Sequence, residues 1–340
     1  MFRKQSIMKD ISSCFSLNHN TVVLSDINGI IWLNDKEVFQ GEKYLFATIQ
    51  KDDFFVFGNS KTIYSGKISE QNFKLTDDKG ISWGTYSKKG VVVCRNRILD
   101  EEVTAFKGDA YYLNFKTGEE QLLFEQEFGG IILTFGDDTK AIYRRLTTFK
   151  SLSLETGEYL WETNISIEGD TDPRIKQVLG ISGDVLVVFT FGSTLVGIDL
   201  HTGKILWHIL PKGFYPSGFT GMAWCWHLED GYLYLLRHQY YLRINLSNQQ
   251  LEVLWQTPAD TLEFEDCSYT EDHVYFMAID KKSNIFNTSV LGVFDRKALK
   301  IVWQHDQPIY SSQPPQSDGD KLYCLDNGGV LHIFEKEENE

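Results

Sequence analysis

Cysteine is scarce in this chain of 340 residues: five thiols, an odd number, with no C-x-x-C among Cys14, Cys94, Cys225, Cys267 and Cys324. That pattern excludes a disulfide framework and leads us to expect reduced, mostly buried thiols in a cytoplasmic protein. No apolar run approaches the length of a membrane span. "ISSC" at residues 11–14 fits the loose pattern of a lipoprotein cleavage site, but the preceding "RKQSIMKD" is polar where a secretory signal has its apolar centre, so export is not expected. Basic residues are also in deficit: 33 Lys and Arg face 47 Asp and Glu, for a net charge of −14. Basic clusters are only short ones, such as Lys88-Lys89 and Arg95 with Arg97. Such a field repels nucleic acid and anionic membranes and draws in a basic partner, besides keeping the chain soluble.

Catalytic signatures are missing as well. There is no G-x-S-x-G, P-loop or H-E-x-x-H. The eight histidines are scattered, and His201 and His208, across one turn, are too few for a zinc site. "EGDTDP" (168–173) places Glu168, Asp170 and Asp172 at alternate positions, yet lacks the glycine and distal glutamate of a calcium loop. It reads as a solvated acidic loop.

Helical periodicity is almost absent, and proline is rare, 7 residues against 27 glycines, while aromatics reach 14%. That balance favours strands and tight turns. The strands recur. "LVGIDLHTGKILWHI" (195–209) is an apolar run, a polar turn and a second apolar run ending near Trp207. The same plan appears in "KSLSLETGEYLW", "YYLNFKTGEEQLLF", "YLRINLSNQQLEVLW" and "LGVFDRKALKIVW". Trp161, Trp207, Trp255 and Trp303 are spaced by 46, 48 and 48 residues. The place of Asp199 is taken by Asn114, Ser153, Asn245 and Asp295, short side chains that accept hydrogen bonds from turn N–H groups. Gly157 and Gly203 supply the positive φ of a tight turn. A tryptophan at one place in successive repeats is best explained as packing between equivalent neighbours.

About four strands per repeat of roughly 40–45 residues is the signature of a β-propeller blade. We expect one all-β domain over residues 1–340, a closed propeller of four-stranded antiparallel blades. Eight blades are expected, with seven the alternative because the N-terminal repeats are short. The last repeat ends after its third strand, so Phe2 to Met8 is expected to supply the fourth and close the ring.

The unit "VGIDLHTGKILW" resembles the repeat of the PQQ-like propellers, the superfamily of quinoprotein alcohol dehydrogenases, whose tryptophan-docking motif runs A-x-D-x-x-T-G-x-x-x-W. Asp199, Thr202, Gly203 and Trp207 match it, as do Thr156, Gly157 and Trp161 with Ser153 for the Asp. Asn245 with Trp255, and Asp295 with Trp303, keep the frame without Thr-Gly. The resemblance implies a fold and says little of activity. Quinone-dependent members carry calcium and often a vicinal disulfide; with no Cys-Cys pair here, neither pyrroloquinoline quinone nor calcium is expected. Assembly propellers of the outer membrane share the repeat but carry a lipoprotein signal.

Function is then expected in loops. "PKGFYPSGFTGMAWCWH" (211–227) gathers Phe214, Tyr215, Phe219, Trp224 and Trp226, and "RHQYY" offers Arg237, His238 and Tyr240. Aromatic and arginine residues together are the composition of interface hot spots, although Trp224 and Trp226 also suit the start of a strand. "RNRILDEEVTAF" (95–106) and "DKKSNIFNTS" (280–289) are lengthened connections. The leading expectation is a non-enzymatic cytoplasmic interaction module with a protein partner, in one version an immunity-type protein masking a basic toxin. A sugar- or quinone-binding propeller, and a structural subunit of an assembly, are the alternatives.

Overall fold

A computed structural model describes residues 2–18, 21–34, 36–41, 46–48, 54–58, 62–67, 69–70, 72–77, 83–86, 89–100, 105–114, 116–128, 130–135, 139–216, 226–258, 261–282, 289–307 and 313–337. These fold as an eight-bladed β-propeller, and among them there is no helix. Seven blades are simple antiparallel meanders, within residues 11–40, 46–77, 83–128, 130–164, 175–209, 226–256 and 262–307. The eighth takes three strands from residues 316–336 and its fourth, Phe2–Met8, from the other end of the chain. By contact the chain divides into two compact units. Residues 45–211 hold the second to fifth blades; residues 1–44 with 212–340 hold the sixth, seventh, eighth and first.

Middle strands are apolar on both faces because a blade is covered on both sides. Val185–Thr190 and Leu195–Asp199 are buried along nearly their whole length, whereas the last strand, Ile205–Ile209, alternates. The core therefore lies between blades. Within residues 45–211, Ile142 and Phe149 of the fourth blade pack with Leu186, Val188, Val196 and Ile198 of the fifth. In the other unit Leu236 and Tyr241 meet Phe264, Phe276 and Phe294 across the sixth and seventh blades.

The turn before each last strand is built the same way in five blades. Asp199 Oδ1 accepts the N–H groups of His201 and Thr202 (3.0 and 2.7 Å) and the Thr202 hydroxyl (2.8 Å). Asn114, Ser153, Asn245 and Asp295 accept equivalent N–H groups. The turn closes through a left-handed residue: Gly118, Gly157 and Gly203, but Gln249 (φ 57°) and Leu299 (φ 51°) where Thr-Gly is lost. A side chain in that region costs about 1–2 kcal/mol. Gln249→Gly, which forfeits only the Gln249 Nε2 bond to the Leu246 carbonyl, is expected to stabilise the chain by about 0.5–1 kcal/mol in urea unfolding. An unchanged or lowered midpoint would count against this account of the turn.

The eighth blade joins the two ends of the chain. Phe2–Met8 runs antiparallel to Leu331–Lys336, from Phe2 opposite Lys336 to Met8 opposite Leu331, with an irregularity between Lys4 and Ser6. The Lys4 ammonium lies 2.9 Å from His332 Nδ1, and His332 Nε2 lies 2.9 Å from Asp326 Oδ2. An ammonium has only donors, so Nδ1 is the acceptor and Nε2 carries the proton given to Asp326. Asp326 Oδ1 also accepts the N–H groups of Gly328 and Val330. Burial raises the Asp326 pKa, but these hydrogen bonds outweigh it and hold the carboxyl below its ordinary value. The stability it contributes is therefore present at neutral pH and lost as pH falls below about 4. Between pH 7 and 3, Asp326→Asn is expected to show a shallower fall in thermal midpoint than the parent. Parallel curves would show that Asp326 is not among the groups responsible.

Candidate functional site

Three tryptophans of the repeat, Trp161, Trp255 and Trp303, sit at blade junctions. Trp161 Nε1 donates to the Leu200 carbonyl of the fifth blade (2.8 Å), and the Thr163 hydroxyl donates to the Gly203 carbonyl. A methyl group on Gly203 (φ 73°) would lie 2.6 Å from the Trp161 ring. Overpacking and left-handed strain together predict that Gly203→Ala loses about 2–3 kcal/mol, read from urea midpoints. A loss under about 0.5 kcal/mol would mean the turn does not seat the ring. Trp207 is half-buried, its ring covering Gly197 of its own blade. Trp255 meets Phe294 at 5.0 Å and Phe264 at 6.1 Å, and Trp303 meets Phe334 at 5.6 Å and Phe2 at 5.5 Å. Thr156 and Thr202 serve their own turns, each accepting an N–H two residues on.

The loop expected to bind is placed in part. Phe219 and Trp224 lie outside the described residues. Phe214 and Tyr215 form an edge-on pair at 5.1 Å, and burial pushes the Tyr215 hydroxyl above the ordinary tyrosine range. Trp226 is half-buried at the start of the strand Trp226–Glu229, paired with Leu235.

Arg237, His238 and Tyr240 form the connection between the two middle strands of the sixth blade, and that connection leans on the seventh. Arg237 Nη1 donates to the Glu265 carbonyl (2.9 Å) and the Phe264 carbonyl (3.4 Å). His238, at φ 54°, exchanges backbone hydrogen bonds with Phe264. Its Nδ1 lies 3.0 Å from Glu263 Oε1, whose other oxygen meets Lys281 at 3.1 Å. The Tyr240 hydroxyl accepts from Gln239 Nε2 at 2.8 Å. Hydrogen bonding from His238 lowers the Glu263 pKa, while burial raises those of Glu265 and Asp266. These polar groups thus hold one blade to the next.

Two sequence features of unit 45–211 resolve into structure too. His201 turns to Asp184 (3.1 Å). Asp170 accepts from the Thr190 hydroxyl (2.9 Å) and the Asp172 N–H (3.0 Å), and Asp172 pairs with Arg174 at 2.5 Å. The acidic loop clamps its neighbour, and no group of three or more metal-ligating side chains occurs among the described residues.

Sequence reasoning missed the features at the opposite end of the sixth to eighth blades. Arg296, in the last turn of the seventh blade, is 7% exposed. Its Nε donates to the Tyr241 hydroxyl (3.1 Å), Nη1 to the carbonyls of Thr270 (2.7 Å) and Glu271 (3.0 Å), and Nη2 to Glu229 (2.5 Å). The guanidinium lies 4.7 Å over the Tyr234 ring. At the next junction, between seventh and eighth blades, a groove of about 540 Å³ opens instead. Buried Tyr275 and half-buried Trp303 and Phe2 line it together with exposed Glu271, Asp272 and Lys336. Hydrogen bonding from Lys297 lowers the Asp272 pKa, and the Ala298 N–H does the same for Asp295. The one signal in the sequence was Arg296 directly after a turn-capping Asp, where the other repeats place Phe115, Leu154, Leu200 and Leu246.

Residues 99–216 match the family model described as outer membrane protein assembly factor BamB. The resemblance to PQQ-like propeller repeats is shown over this stretch, which holds the Thr-Gly-Trp copies. Among curated proteins none matches. Solved structures match over nearly the whole chain. The C-terminal WD40 domain of Sif2 is 11% identical with a TM-score of 0.66, covering 99% of both chains. The computationally designed Ika8 protein is 15% identical at 0.61, covering 96% of both. Saccharomyces cerevisiae Sqt1 is 13% identical at 0.60, covering 99% of this chain and 98% of its own. At these identities the likeness is one of fold.

Proposed function

We propose that this propeller is a cytoplasmic, non-enzymatic interaction module that binds a basic protein. The observation that carries the reading is the charge of −14. Arg237 and Arg296 are committed to carbonyls and carboxylates of adjoining blades, which leaves the acidic surplus to face a partner. The fold is consistent with such a role, and the family whose model matches the third to fifth blades is named for an assembly factor. In its specific form the partner is a basic toxin that the propeller masks. The test is a peptide array of random dodecamers graded in net charge, probed with the labelled full chain. Binding is expected to rise with positive charge and to fall steeply between 0.05 and about 0.5 M salt. Signal independent of peptide charge would remove the basic-partner reading. The toxin version is checked by calorimetry against the product of the adjacent gene, where no heat would sink it.

A further inference from the structure

We propose that the groove between the seventh and eighth blades is the docking site for an arginine side chain of that partner; the proposal rests on the basic-partner reading above. The repeat itself supplies the argument. Tyr232 pairs with Asn245, His273 with Asp295 and Lys321 with Glu335 at the same place in the sixth, seventh and eighth blades. Tyr275 therefore stands where Tyr234 stands one blade earlier, and Lys336 stands where Arg296 stands. The backbone agrees: the Arg296 N–H donates to the Asp272 carbonyl (2.9 Å) and the Lys336 N–H to the Asp320 carbonyl (2.8 Å).

At the earlier junction the space over the tyrosine is filled from within by the Arg296 guanidinium, anchored on Glu229. At the later one the equivalent residue is a shorter-forked lysine that stays exposed, and the space is the groove. The counterparts of Glu229 and Tyr241 there are Thr270 and Leu291, so the groove's acidic groups come from other positions of its lining. Trp303 and the largely buried Tyr275 line the groove with aromatic rings that favour a planar cation, and Glu271, Asp295 and an Asp272 already paired with Lys297 (2.6 Å) leave the lining net negative against Lys336. Its volume of about 540 Å³ is that of a ligand cleft and accepts an arginine with the chain on either side of it. Val302, 42% exposed, borders it on the last strand of the seventh blade.

The experiment uses the full chain and fluorescein-labelled (Gly-Arg)₄, (Gly-Lys)₄ and (Gly-Glu)₄ peptides, with affinity read by anisotropy. The parent is expected to bind the arginine peptide, the lysine peptide at least about threefold more weakly, and the glutamate peptide not at all. Val302→Lys, which places a cation in the groove, is expected to weaken arginine-peptide binding about tenfold. Glu271→Gln with Asp295→Asn is expected to weaken it about fivefold; Asn245 shows that an amide can cap the turn Asp295 caps. Glu155→Gln with Glu162→Gln, removing the same charge from the fourth blade, should change it less than twofold. Tight arginine-peptide binding unaffected by either groove variant would overturn the groove while leaving the basic-partner reading intact. Equal binding of all three peptides would overturn both, and equal binding of arginine and lysine peptides would overturn the choice of arginine.

Discussion

Replacing Arg296 by methionine is expected to lower the stability of the chain by about 3–4 kcal/mol. The side chain is almost completely buried, and its hydrogen bonds reach four different residues in two blades. Without it, the Thr270 and Glu271 carbonyls and the Tyr241 hydroxyl lose a donor, at roughly 1 kcal/mol or more each. Glu229, about a third exposed, is partly rescued by water, so the ionic part of the loss is the smaller share. Arg296→Lys should recover less than half, because one ammonium cannot address carbonyls, hydroxyl and carboxylate together. The measurement is the urea midpoint at constant m value. A loss below about 1 kcal/mol for the methionine variant would mean that Arg296 adds little to the hold between the two blades beyond their apolar contacts and the Arg237 and His238 bonds.

Deleting residues 2–8 is expected to have the second large effect. The strand Leu331–Lys336 would keep its pairing with Lys321–Leu325 but lose its outer partner and become an edge, with N–H and C=O groups open to another chain. Amide protection across Leu331–Lys336 should fall from the global range, on the order of 5–10 kcal/mol, toward that of a frayed edge. The truncated protein should also self-associate. Adding the peptide FRKQSIM in trans should restore protection and monomer, as strand addition does for an exposed sheet edge. Full protection in the truncated chain, by hydrogen exchange, would show that the N-terminal strand is dispensable to the eighth blade.

Much of this was legible in the residues. Thr-Gly-x-x-x-Trp at 156–161 and 202–207 marked the last strand of a blade, because a left-handed glycine and a large flat ring are hard to explain otherwise at that spacing. The missing fourth strand at the C-terminal end pointed to Phe2–Met8, and those are the residues that pair. Sites were harder to read. Arg237 and His238 have the composition of a binding loop, yet they face Phe264 and Glu263, which lie some 25 residues on and come near only through blade packing. The groove was invisible for the same reason: Phe2, Tyr275, Trp303 and Lys336 converge only when the first strand of the chain joins its last.

That joining also sets a clock. Lys4 and His332 are separated by 328 residues, so during synthesis the earliest strand waits for the latest. At ribosomal rates of about 5–20 residues per second, the interval is roughly 15–65 s. Closing so long a loop adds only slowly growing entropy, but the wait itself leaves Phe2–Met8 unpaired on a growing chain. A strand-capturing chaperone would have its window of access then, and the eighth blade would be completed only once Leu331–Lys336 has left the ribosome.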